Sequence, residues 1–80
     1  MNEAIREQVQ ELLGFFGYQQ LPPHLQMVSM PFHQLAHGVA DEQDWSWELV
    51  ECLRNLLSAK DAVVRAAVLG QRKREEAVIG

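Results

Sequence analysis

Cysteine is all but missing from this chain of 80 residues: Cys52 stands by itself, so no internal disulfide can staple the fold. No apolar run approaches the ~20 residues that cross a bilayer. The start, Met-Asn-Glu-Ala-Ile-Arg-Glu, has neither the basic segment nor the apolar stretch of a secretory signal. These absences predict a reducing cytoplasm and no membrane. Positive charge is scarce too, with 7 Lys and Arg against 11 Asp and Glu, a formal net charge of -4. A duplex binder draws most of its affinity from neutralising phosphates and shows a basic face, so a nucleic-acid polymer is not the expected partner. The few cations are also segregated. Residues 1–50 hold Arg6 against seven acids, or -6, and residues 51–80 hold six cations against four acids, or +2. Any phosphate contact should therefore come from the second half.

Catalytic patterns are absent as well. There is no glycine-rich phosphate loop and no His-Glu-x-x-His. Ser29 and Ser46 have no activating context. Cys52 falls on an apolar stripe, where a thiol behaves as a small hydrophobe with little thiolate. His33, His37 and Asp41 are spaced i, i+4 and i+8, so a continuous helix would bring them to one face, the geometry from which a zinc site can be built. With no second cysteine and no fourth ligand, solvent-facing or interfacial histidines are the better expectation, and no metal is assigned. The chain reads as a binder, not an enzyme.

What is present is helical periodicity. Hydrophobic residues are 48% of the chain, too many for a disordered polymer. Ile5, Val9, Leu12 and Phe16 recur at helical spacing, predicting a short amphipathic helix that stops near Gly17. A second helix should begin at Pro22 or Pro23, where a fixed φ and a missing N–H suit the first turn. Its expected seam is Leu25, Val28, Phe32, Leu35 and Val39, with a kink or break at Pro31. Asp41 to Ser46 form a polar connection in which Asp44 or Ser46 can cap a third helix, expected to end at Leu69 before Gly70. That helix carries two apolar stripes, Leu49/Cys52/Leu56/Ala59/Val63/Ala66 and Val50/Leu53/Leu57/Val64/Ala67, more than one partner helix can bury. A chain this short buries only ~60% of its unfolded surface, so a second subunit is expected to cover the rest. Ala59, Ala62, Ala66 and Ala67 would admit close helix approach, although alanine is also simply a good helix former. The expected organisation is one all-α domain: an N-terminal helix (1–17), a long antiparallel helical hairpin (22–70) and a charged tail (71–80), assembled into a compact oligomer.

Aromatic residues gather at the two turns, Phe15, Phe16 and Tyr18 before the second helix and Trp45 and Trp47 before the third. Bases stack on exposed rings at ~1–3 kcal/mol each. Phe16 and Trp47 are expected to pack, since Phe16 continues the first seam and Trp47 can staple the third helix. Tyr18 lies outside every stripe, between Gly17 and the Pro-Pro start, where its ring can stack while its hydroxyl meets a phosphate.

The string Tyr18-x-x-Leu-Pro-Pro-His-Leu-Gln-x-Val-Ser-x-Pro-Phe-x-x-Leu-Ala36, followed by Glu48, Leu53-Arg54-x-Leu56-Leu57-x-Ala59-Lys60-Asp61-Ala62-x-Val64-Arg65-Ala66, resembles the phage helical-hairpin family shared by anti-CBASS and anti-Thoeris sponge proteins. The resemblance covers about residues 15–67. It implies a small all-α subunit in a hexamer that traps bacterial cyclic-nucleotide immune signals without cleaving them, in the host cytoplasm during infection. The family's dinucleotide pockets use a turn aromatic, matched by Tyr18, and a basic residue early in the first long helix. Met30 stands at that second position, a departure that removes a phosphate partner. A second kind of pocket, suited to cyclic trinucleotides, draws on the later part of the last helix, where Lys60 and Arg65 are the nearest cations. The implied ligand is thus a cyclic di- or trinucleotide or a cyclic ADP-ribose-type signal, with no cofactor. The competing expectation is a small helical adaptor that binds a protein partner through its apolar surface.

Overall fold

A computed structural model describes the backbone of residues 2–79 and the side-chain surroundings of residues 2–74. It is all-helical, with no strand among the described residues: α1 (Glu3–Gly14), α2 (Pro23–Asp41) and α3 (Trp47–Ile79). Each start has a local cause. The Asn2 side chain accepts from the Ala4 N–H at 2.8 Å, taking up one of the free donors of α1. Pro23 opens α2 at the position where a missing N–H costs nothing. Ser46 Oγ accepts from the Leu49 N–H at 3.2 Å and caps α3, leaving Asp44 exposed.

Three expectations change. Of the kink or break expected at Pro31, the break is absent: α2 runs on through Pro31, where only one N–H is lost and the proline ring is exposed. α3 does not stop at Leu69. Gly70 keeps a negative φ, so it forms no left-handed cap, and the strong helix formers Gln71, Arg72, Lys73 and Arg74 carry the helix onward. The segment expected as a charged tail is therefore the continuation of α3, although the side chains of Glu75 and Glu76 lie outside those described. Finally Trp47 is 51% exposed, and it is Trp45 that packs against the core. The position before the cap is the one that can reach back over the first turn to Val50, and Trp45 occupies it, with its Nε1–H donated to the Ala40 carbonyl at 3.1 Å.

The core consists of Val9, Leu12 and Phe16, Ala36 and Ala40, and Leu49, Val50 and Leu53. α2 turns an unexpected face to it. Ser29, Ala36 and Ala40 are buried while Leu35, a member of the expected seam, is 51% exposed. Small side chains let α2 approach its neighbours closely, and the bulky ones flank that line: Phe32 and Val39 are half-buried at its edge. Periodicity found a stripe, but residue size selected the line beside it. α1 and α3 advance together, for Arg54 Nη2 donates to Gln8 Oε1 at 3.4 Å and Lys60 Nζ donates to the Phe15 carbonyl at 2.8 Å. The last turn of α2 meets Trp45 through the Ala40 carbonyl, while Leu21, just before the helix starts, lies beside Val64.

Candidate functional site

The segment between α1 and α2 is held by side chains that reach its carbonyls. Gln26 Nε2 donates to the Leu21 carbonyl at 2.7 Å and to the Gln19 carbonyl at 3.3 Å. His33 Nδ1 lies 3.2 Å from the Phe16 carbonyl. A carbonyl can only accept, so this contact is a hydrogen bond in the tautomer that carries its proton on Nδ1. Tyr18 packs edge-on against the His33 ring, centroids 5.2 Å apart at 75°, and His33 in turn meets His37 at 4.3 Å. Tyr18 is thus a half-buried ring in an aromatic stack, partly accounted for by its own chain. His33 is equally committed, to a carbonyl and to two rings. Among the described residues no group of three His, Cys, Asp or Glu side chains stands close enough to hold a metal ion.

Lys60 and Arg65 come together on the other side of this segment. With Leu21, Asp61 and Val64 they line a surface cleft of about 310 Å³, near the lower end of the ~300–1,000 Å³ typical of small-molecule sites. Their situations differ. The Lys60 ammonium is already bonded to the Phe15 carbonyl, which fixes its position, whereas Arg65 is exposed and has no bonded partner. Asp61 adds one acid to the rim, so the cleft offers two cations and a carboxylate around an apolar floor of Leu21 and Val64.

Met30 is 36% exposed on α2 and lines neither this cleft nor the others described. The four residues singled out from the sequence therefore fall at three places in one chain: Lys60 with Arg65, Tyr18 with the histidines, and Met30 by itself. The 15–22 segment links the first two, since Tyr18 lies on it and Leu21 near its end lines the cleft. Sequence reasoning missed Gln26, whose amide ties down two carbonyls of that segment. It also missed a cleft of about 480 Å³ lined by Glu3, Arg6, Gln10 and Trp45. The signal for that cleft was Arg6 itself, the sole cation in the first fifty residues. No protein-family model, curated protein or solved structure matches the chain.

Proposed function

We propose that this chain is a phage immune-evasion sponge that self-assembles and sequesters a bacterial cyclic-nucleotide signal, intact, in the host cytoplasm. The carrying observation is the Lys60–Arg65 cleft: one cation fixed by a carbonyl, one unengaged, and an apolar floor, which together suit a phosphate attached to a base. The cleft is open on one side, and a second subunit closing over it would bury the remainder of a ligand. Assembly is supported by the apolar surface a single chain leaves bare, including Met27 at 74%, Leu69 at 54% and Leu35 at 51% exposure. In such an assembly α2 and α3 form the long antiparallel hairpin of each subunit, and the hexamer of the resembled family is the expected size. Tyr18 would contribute stacking, and Met30 would leave its pocket without an early cation, shifting phosphate recognition to Lys60 and Arg65.

One observation favours a second reading. Pro31, Phe32 and Leu35 line an apolar dimple of about 110 Å³ on the exposed side of α2, a shape that accepts one side chain of a partner helix. A helical adaptor would keep that face free. Thermal melts against cyclic dinucleotides, cyclic trinucleotides and cyclic ADP-ribose variants separate the two, because ligand at ~100 times its dissociation constant adds ~2.7 kcal/mol of stability. A saturable shift with one class supports the sponge; a flat panel with a monomeric protein supports the adaptor.

A further inference from the structure

Along the C-terminal part of α3 the described residues form a groove without help from α1 or α2. It is about 280 Å³ in volume and runs along Val64, Arg65, Val68, Leu69 and Arg72. Leu69 is 54% exposed on it. Arg65 and Arg72 flank the apolar residues seven positions apart, on one face, about 10 Å along the axis. Neither makes an ion pair with a described residue. From residue 62 to residue 74 the helix carries four cations and no acid.

The complementary surface lies at the other end of the molecule. Glu3, Glu7 and Glu11 recur every fourth residue of α1, span about 12 Å, are all exposed and have no ion-pair partner. The α3 cations beside α1 are spent on neutral groups, Arg54 on Gln8 and Lys60 on the Phe15 carbonyl. Arg72 cannot reach these acids within the chain. Glu3 shares a cleft with Trp45, just before α3, and Arg72 lies 25 residues beyond the first residue of that helix, roughly 37 Å along it.

We infer that the Val68–Arg72 end of α3 docks on a second copy of this chain, with Arg72 against the acidic stripe of its α1, which leaves Arg65 to the Lys60 cleft. The two surfaces are opposite in charge, and the pairing can be reciprocal: each copy gives its α3 end and receives the other's on α1, which closes the contact. The inference rests on the self-assembly proposed above and assigns one of its surfaces.

Charge exchange tests it. Mass by light scattering is measured over a concentration series for the wild type, Arg72→Glu, Glu7→Lys and an equimolar mixture of the two variants, with helicity followed by circular dichroism. Each single variant should self-associate roughly fivefold more weakly or worse, as expected from losing a surface pair and gaining repulsion. The mixture should regain mass, since the reversed α3 of one variant then faces the reversed α1 of the other. Raising salt should weaken the wild type. Associating variants indistinguishable from wild type, or a mixture no heavier than its parts, overturns the docking. So does unchanged mass accompanied by binding of α3 to phosphatidylserine vesicles, which would make an anionic surface the occupant. A wild type that stays monomeric throughout instead removes the assembly itself.

Discussion

Ser29 offers the sharpest test of the packing. Its side chain is fully buried on the line where α2 meets the core, and its Oγ has no hydrogen-bond partner. A buried hydroxyl left unpaired costs ~1–3 kcal/mol. Ser29→Ala removes that penalty and gains a few tenths of a kcal/mol in helix propensity. Against this, deleting one oxygen leaves a void of ~10 Å³, worth ~0.2 kcal/mol at ~24 cal/mol per Å³. The terms net to a stabilisation of about 1–3 kcal/mol, and at ~4–8 °C per kcal/mol for a domain of this size the melting temperature should rise by at least ~4 °C. Thermal and urea unfolding followed by circular dichroism, at matched protein concentration, read this directly. A loss of 1 kcal/mol or more would mean that the hydroxyl is satisfied in solution, and the proposed apolar contact line through Ser29, Ala36 and Ala40 would be wrong.

Four further outcomes are expected. Leu53→Ala, at a fully buried side chain, should cost ~2–5 kcal/mol, and a loss under 1 kcal/mol in urea unfolding would contradict its place in the core. Gly70→Ala should stabilise α3 by up to ~1 kcal/mol, because its φ is not positive and a Cβ there meets nothing within 4 Å; a drop in mass by light scattering would instead reveal a close approach by another copy. Arg65→Ala should weaken cyclic-nucleotide binding at least tenfold by calorimetry, since a charge-assisted contact contributes ~1.5–3 kcal/mol, and equal affinity would return Arg65 to the role of a surface stem. Tyr18→Ala should cost a dinucleotide ~1–3 kcal/mol of stacking with unaltered oligomer mass, whereas an unchanged dissociation constant would assign the ring wholly to His33.

Much of the helical layout was legible from local chemistry. Pro23 and Ser46 mark starts because a missing N–H and a hydroxyl acceptor act within one turn, and Phe16 is buried as its seam predicts. The errors came where distant packing decides. Leu25 to Val39 form a regular apolar stripe, yet the core takes Ser29, Ala36 and Ala40, because interhelical distance favours small residues and periodicity does not weigh size. Gly70 looked like a stop, but a glycine ends a helix only where a left-handed turn follows, and the flanking residues continue it. At the site, Lys60 and Arg65 are five residues and about 140° apart on α3, so helix geometry alone does not bring them together, and their shared cleft depends on Leu21 lying against Val64 between them. Leu21 as its floor and the Phe15 carbonyl that anchors Lys60 are contacts across some forty residues, which no local pattern contains.

Whether a signal is held and not consumed, as proposed above, is tested most directly by the fate of a nucleotide bound to the protein. The purified protein is saturated with the cyclic nucleotide that stabilises it, freed of excess ligand, heat-denatured, and the released material is identified by chromatography and mass spectrometry. Sequestration predicts stoichiometric recovery of the intact cyclic molecule, still able to activate its effector after prolonged incubation. Recovery of a linear or hydrolysed product, accumulating with time and protein concentration, would contradict it.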